Sequence, residues 1–362
     1  AAMADTRATA GLTPQQWDDE FFTQYVQESF FRSLMGTDEN SIIQVKEDLT
    51  KKAGDSVTYA LVNRLTNAGV TGTQVLEGNE EDLISRSFRV YVDKIRHGVR
   101  VAEMEEQKSA IDLRNAGRAA LKVWMMEKTR DQFITALGSI NGVAYASATE
   151  AEKDAWLVDN ADRVLFGAAV ANNSSNDHSA SLLNVDATTD KLTSASLSIL
   201  KRMALLASPK IRPLTVNGGK RTFAVYCHPY AFRDLQADTA MQAANRDARE
   251  RGVDNPLFTG GDLIWDGMVI KQMDDLPIYV DVGNGGTVDV APVYLMGAQA
   301  LALAWAKRTT SKTETFDYGD KFGVAIEEIR GIRKMIFGSG DGDTDDTKDH
   351  GVATGYFAAQ AD

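Results

Sequence analysis

One cysteine, four histidines and seven prolines in 362 residues leave this chain short of the side chains on which much enzyme and metal chemistry depends. The lone Cys227 excludes an internal disulfide and fits synthesis in a reducing cytoplasm. No HExxH, CxxC or GxSxG motif occurs, and no GxGxxG follows a strand-like run, so zinc-protease, thiol-redox, hydrolase-elbow and dinucleotide readings lose their support. No apolar run approaches the roughly eighteen residues of a membrane helix. The opening AAMADTRATAGL lacks a basic and an apolar region, so no secretory signal is expected there, and Met3 reads as a start behind a two-residue extension. Positive charge is also scarce, 39 Lys and Arg against 51 Asp and Glu for a net charge of -12. Such a chain is poorly suited to grip nucleic acid with a broad basic face, but it can enclose nucleic acid without holding it tightly. What is present is ample core material: 43% of the residues are hydrophobic, enough to bury real cores, and the length of 362 residues suits about two or three domains.

The most informative stretch runs from Gly54 to Val101. Two runs, Ser56 to Arg64 and Ser87 to Val101, alternate apolar with polar residues, the period-2 signature of a strand pair with one face against a partner. Between them lies LTNAGVTGTQVLEGNEEDLISR, a glycine-punctuated polar stretch with little core-forming potential, longer than compact domains usually spend on a connection. A ribbon of this length is marginal alone in water, so a projecting one must find packing on another molecule. Arg86, Lys94, Arg96 and Arg100 share one parity with Val90 on the second run. That charged face is either solvated or docked on the acidic NEEDL, Asn79 to Leu83, of a neighbour.

Around the ribbon the expected elements follow from period and punctuation. Thr13 and Pro14 open a helix carrying Trp17, Phe21, Tyr25 and Phe31 near helical spacing, with Phe22 beside them and Gly36 as its stop. This aromatic helix packs either on its own body or on a neighbour. Ser109 to Leu137 is the strongest helix, roughly 44 Å long at 1.5 Å per residue, ended by Gly138. Residues 139–195 are weakly patterned and read as an elaborated, partly exposed loop region with a short helix at Thr149 to Trp156. A helix over Leu192 to Leu206, a strand over Thr222 to Tyr226, a His-Pro turn and a helix from Ala231 to Leu235 come next. A strand-turn-strand lies within Asp254 to Val280. Pro292 to Ala306 fits two strands or a strand and a helix. Lys312 to Phe316, Val324 to Ile329, Lys334 to Phe337 and Gly351 to Ala358 read as closing strands.

Candidate chemistry is sparse. Cys227 beside His228 suggests a thiol and its base, but neighbours on a strand point to opposite faces, which favours a buried structural cysteine. Asp341, Asp343 and Asp345 alternate like calcium-loop ligands, yet Asp346 stands where glycine is needed and Val352 where a bidentate Glu is needed. An acidic turn between two strands is the simpler account. NGGK at Asn217 to Lys220 reads as a turn. No cofactor is implied.

The order of elements, with RLTNAGVTGTQVLEGNEEDL (Arg64 to Leu83), IRHGVRV (Ile95 to Val101), DLRNAGRAALKVWMMEKTRDQFITALG (Asp112 to Gly138), RVLFG (Arg163 to Gly167), KIRP (Lys210 to Pro213), YCHPYAFRDLQ (Tyr226 to Gln236) and FDYGDKFGVAIEEIRGIRK (Phe316 to Lys334), resembles the major capsid proteins of tailed bacteriophages with the Hong Kong 97-type fold, in the subgroup of the phage N-four coat protein. The resemblance implies an α+β fold with an N-terminal arm (1–54), an extended β-ribbon loop (55–103), a peripheral domain with a spine helix (104–195 and 309–362) and an axial domain (196–308). It implies a non-enzymatic subunit that assembles itself as pentamers and hexamers into an icosahedral shell in the bacterial cytoplasm. The shell would enclose double-stranded DNA without sequence-specific binding, with no membrane role, and scaffolding, decoration and portal proteins are further conceivable partners. Leu65, Val70, Leu76, Glu77, Glu80, Glu81, Arg86 and Arg96 would be contacts of the extended loop, Trp17, Phe21 and Phe22 contacts of the arm, and Arg246, Arg249 and Arg251 lie in the axial loop. Some members weld the shell by a Lys to Asn isopeptide bond, but the tip Leu65 to Arg86 has no lysine. The alternatives are an encapsulin-type protein compartment and a cation-dependent enzyme using the three aspartates.

Overall fold

A computed structural model describes residues 31–47, 49, 54–62, 65, 68–81, 85–109, 112–216, 219–248, 263–338 and 347–361. The expected helix from Thr13 and the residues Trp17, Phe21 and Phe22 lie outside them. Phe31 opens the described chain as a core residue, its ring 4.7 Å from Phe133 and 6.0 Å from Tyr226. The end of the arm thus packs on its own body. Gly36 is not a helix stop but part of strand β1 (Met35–Gly36), which pairs in parallel with β2 (Ile43–Lys46).

The ribbon exists, but it is shorter than the alternation suggested. β3 (Ser56–Val62) pairs antiparallel with β4 (Ser85–Tyr91), and the Val92 amide closes the pair on the Asp55 carbonyl at 3.0 Å. Beyond Val92 the same run becomes β5 (Asp93–Ala102) and leaves the ribbon for a different sheet. The base of the ribbon packs on its own chain: Val57, Tyr59, Phe88 and Val90 are buried against Ala302, Ala304, Met335 and Phe337. The Tyr59 hydroxyl donates to the Leu303 carbonyl at 3.0 Å. Period 2 identified the strands correctly and could not reveal where one strand changes partner.

After a short helix α1 (Glu103–Lys108), the spine helix α2 (Leu113–Leu137) starts on Asp112, whose carboxylate accepts from the amides of Arg114 and Asn115. It ends at Gly138, and its 25 residues make a rod of roughly 37 Å. Leu121 and Met125 pack on Val324 and Ile326 of the sheet beneath, and Phe133 and Leu137 enter the main core. Of the alternatives for the packed stripe, Ala116 or Gly117 and Ala120 or Leu121, Gly117 is half-buried and Leu121 buried, while both alanines are exposed.

Residues 139–195 form a packed subregion rather than an exposed loop. Thr149 and Glu152 make a reciprocal capping box that starts α3 (Glu150–Asn160). Trp156, Leu157, Leu182 of α4 (His178–Leu182) and β6 (Val164–Phe166) bury a core with Tyr356. The chain then alternates through α5 (Ser194–Leu206), β7 (Leu214–Val216), β8 (Lys220–Cys227), α6 (Pro229–Ala237), α7 (Thr239–Ala248), β9 (Leu263–Trp265) and β10 (Met268–Gln272). Pro292 to Ala306 resolves into two strands, β11 (Val290–Met296) and the start of β12 (Leu301–Phe316). A Cβ on Gly297, between them, would stand 2.3 Å from the Arg212 carbonyl oxygen, so only glycine fits. β13 (Lys321–Lys334), β14 (Ile336–Gly338), β15 (Thr347–Asp349) and β16 (Val352–Ala358) complete the fold.

Two large sheets result. One has the order β1-β2-β12-β13-β5; the other runs β6-β16-β11-β8-β10-β9, with β7 on β8. Every residue of β11 and β16 is buried, as expected of strands covered on both faces. The second sheet takes β6 and β16 from stretches expected in the peripheral domain, so the boundaries expected at 195 and 308 do not coincide with the boundaries between sheets.

Two histidines sit deep in this body. His178 lies among the rings of Tyr145, Trp156, Phe166 and Tyr356. Burial, with Lys153 nearby, lowers it to about 4, and burial with Arg212 and Arg163 lowers His350 to about 4. The unfolded chain therefore binds more protons than the folded one as pH falls from the ordinary imidazole range of 6.5 towards 4. Stability should fall across that window, by on the order of 3 kcal/mol for each imidazole at most. Thermal melts between neutral and mildly acidic pH should show this loss, and His178→Phe, which keeps the ring packing, should make it smaller.

Candidate functional site

The side chains that hinted at catalysis are engaged in structure. Cys227 is fully buried at the end of β8, its thiol raised well above the ordinary range by burial, and its Sγ lies 3.7 Å from the Lys271 carbonyl. His228 turns away to cap α6, its Nδ1 accepting from the Tyr230 amide at 3.2 Å. Among the described residues one acidic trio gathers, Glu150, Asp154 and Asp177. Each of its carboxylates accepts a backbone amide at the start of α4: Glu150 from Ser179, Asp154 from His178 and Asp177 from Ala180. Asp341, Asp343 and Asp345 lie outside the described residues, between the paired strands β14 and β15.

What the fold leaves open is surface. The connection between β3 and β4 stands away from the body: residues 71–80 are all exposed, Val70 and Glu81 partly buried. Gly69, Gly72 and Gly78 adopt φ of 68°, 67° and 83°, a region that side chains other than glycine rarely tolerate. The shape is held locally, with the Gly78 amide donating to Glu80 at 2.7 Å and the Asn79 side chain donating to the Val75 carbonyl at 2.9 Å. Leu65, Val75 and Leu76 are each more than half exposed on this tip, beside the exposed carboxylates of Glu77 and Glu80. Arg86 stands opposite Leu61, near the end of the ribbon from which the tip springs.

The second open surface lies on β5, β13 and β12. The change of partner at Val92 buries Val90 and sends Lys94, Arg96 and Arg100 to another sheet, so the single ribbon face expected from parity does not form. Arg96 instead stands opposite Glu327. Lys94, Lys307 and Lys312 converge on the Glu327 carboxylate at 2.9, 2.5 and 2.9 Å. Their hydrogen bonds, led by Lys307, hold that carboxyl well below the usual carboxylate range. Lys94, Arg96, Arg100, Lys312, Glu314 and Phe316 line a groove of about 490 Å³ along these strands. Beyond it the β12-β13 hairpin turns through Asp317, Tyr318 and Gly319, all at positive φ, with Tyr318 fully exposed. Sequence reasoning missed Lys307, Lys312, Glu327 and Tyr318; the turn signal DYG between two alternating runs would have marked the hairpin. Of the expected axial-loop residues, Arg246 lies in α7, its side chain outside the description, and Arg249 and Arg251 fall outside the described residues.

Residues 6–361 match the family described as phage capsid protein. The chain belongs to that family. The capsid protein is 32% identical over 375 residues to the major capsid protein of Pseudomonas phage KPP25, covering 97% of each chain. Its fold is similar to a chain of the cyanophage Pam1 capsid asymmetric unit, with a TM-score of 0.81, 33% identity and coverage of 99% and 100% of the two chains. It is similar also to the capsid of Ralstonia phage GP4, with a TM-score of 0.75 and 26% identity over 92% of each chain. The α+β architecture of the capsid protein is the Hong Kong 97-type fold. No described helix is long and apolar enough to cross a membrane.

Glu327 is what allows three ammonium groups to share one patch of the capsid protein. A lowered carboxyl contributes stability above the usual range near 4.5 and loses it as pH falls below. At neutral pH, Glu327→Gln should lower the melting temperature by a few degrees in low salt. The deficit should shrink at high salt, because screening relieves the repulsion among Lys94, Lys307 and Lys312.

Proposed function

We propose that this capsid protein is the major shell subunit of a tailed bacteriophage, assembling as pentamers and hexamers into an icosahedral shell around double-stranded DNA. The match of residues 6–361 to the capsid family carries this reading. A closed shell needs one chain to make many heterologous contacts that curve and close, and an exposed tip on a well-packed body suits that demand. Each contact can be modest, because a subunit held by several neighbours gains by multivalency. A net charge of -12 favours packaged DNA that moves without sticking.

In this proposal the ribbon and its tip reach over an adjoining subunit, with Leu65, Val70, Leu76, Glu77, Glu80 and Glu81 in the contact. The hairpin β12-β13, β5 and α2 form the peripheral domain. The seven-stranded sheet forms the body of the axial domain. The segment that carries Arg246, Arg249 and Arg251 meets its copies at the symmetry axes, and the arm with Trp17, Phe21 and Phe22 reaches neighbours. No catalytic step is assigned to the chain.

Negative-stain electron microscopy with light scattering on the purified protein tests the reading, with uniform shells or free pentamers and hexamers expected. Particles filled with a protein cargo and no DNA in infected or expressing cells would overturn it. Deleting Asn67 to Asp82 should leave a folded subunit that closes no shells, because the buried ribbon base, Val57, Tyr59, Phe88 and Val90, is untouched. Normal particles from that variant would contradict the role given to the tip. Boiled shells should run as a single monomer band on a denaturing gel, because the tip from Leu65 to Arg86 has no lysine to weld.

A further inference from the structure

We propose that the groove between the spine helix and β13 is a phosphate site that holds the backbone of the enclosed DNA through Arg333 and Lys128. The inference rests on the shell-building reading and adds a contact between the shell and its contents. The groove, about 530 Å³, is lined by Lys128 and Thr135 of α2, Tyr91 at the end of β4, Asp93 at the start of β5, Gly142, and Arg333 of β13. Neither Lys128 nor Arg333 forms an ion pair among the described residues. Arg330 borders the same groove, but Glu328, Thr129 and Gln132 take up its guanidinium. Of the two carboxylates present, Asp131 is held by Arg130 at 3.4 Å, which leaves Asp93 against two cations.

Arg333 is built into position before any ligand arrives. Gly142 has φ of 88°, and a Cβ there would stand 2.0 Å from Arg333 Nη2, so the guanidinium lies against bare backbone. The Phe88 ring is 5.6 Å from the same guanidinium, and Nη1 donates to the Arg89 carbonyl at 3.3 Å. A guanidinium carries five N–H donors in a fixed fork, so one bond to Arg89 leaves a pair for two oxygens of a phosphate. Lys128, exposed on α2, adds a second positive charge, and Tyr91, more than half exposed, adds a hydroxyl donor. Contacts of this kind carry no sequence information. Two charges per subunit bind weakly, so DNA still moves past a chain of net charge -12, while many copies around one genome add up.

The test follows a fluorescent DNA duplex of arbitrary sequence by anisotropy against the full-length chain. With two phosphate contacts, affinity should fall about tenfold from about 50 to about 200 mM salt. K128Q and R333Q should each bind more weakly and reduce that fall to about threefold, equally for two unrelated duplexes. Lys128 is exposed, so K128Q keeps the test decisive if R333Q loses its fold. Unchanged affinity and salt dependence in K128Q would overturn the proposal. Inorganic phosphate should displace the duplex no better than chloride of equal ionic strength. Displacement at far lower concentration would make the free ion the occupant and overturn the assignment to DNA. Normal shells combined with unchanged duplex binding by both variants would remove the site and leave the shell-building reading intact. Duplex binding as expected from a chain that never forms particles would do the reverse.

Discussion

Strand β12 is buried at one end and exposed at the other, and the rest of the molecule is arranged around that change. Leu301 to Trp305 are buried and Lys312 to Phe316 are exposed. The buried end must satisfy its backbone on both sides. β13 supplies one side, and β2, arriving from the arm in parallel register with Leu301 to Ala304, supplies the other. Ala302 and Ala304 are small, which leaves room for Tyr59 and Val90 to press the ribbon base onto the sheet. Gly331 on β13 serves the same approach, since a Cβ there would lie 2.0 Å from the Tyr91 carbonyl oxygen. Arm, ribbon and hairpin therefore meet at one junction.

That junction is oriented by buried charge. Arg330 and Glu328 pair at 3.0 Å with no exposure, Thr309 donates to Glu328, and Arg330 donates to Thr129 and Gln132. Arg330 reaches from β13 to the spine helix, so its hydrogen bonds to Thr129 and Gln132 tie the helix to the sheet. Four residues on, Lys334 pairs with Asp349 at 2.7 Å, and the Trp156 indole donates to the same carboxylate at 3.3 Å. This second pair ties β13 to β15 and to the 139–195 subregion. Breaking such a pair strands a buried charge at a cost of about 3–5 kcal/mol, which favours one arrangement over near alternatives.

A body held this firmly contrasts with the tip between β3 and β4, which makes its hydrogen bonds to itself. The division suits a subunit that must keep its shape while meeting neighbours in slightly different settings.

Much was legible in the sequence because the signals were local. The spine helix followed from apolar spacing and Gly138, though it starts at Leu113 and not at Ser109; the strands at Thr222 to Tyr226 and Gly351 to Ala358 followed from apolar runs. A short helix at Thr149 to Trp156 was read inside an otherwise weakly patterned stretch, and the structure shows the capping box that starts it. The resemblance to phage capsids rested on motif order, and the family match upheld it. Partnership between distant segments was another matter. Alternation through Ser87 to Val101 marked the run as strand, but a strand keeps the same period when it leaves one partner for another, so the shared face expected across it did not form. The division at Val92, the burial of Val90, the packing of 139–195 on Tyr356 and the gathering of Lys94, Lys307 and Lys312 around Glu327 each join residues far apart in the chain. Periodicity is a property of neighbours along the backbone, whereas these contacts depend on which sheet edge is free when the core closes. Only the tertiary structure decides that.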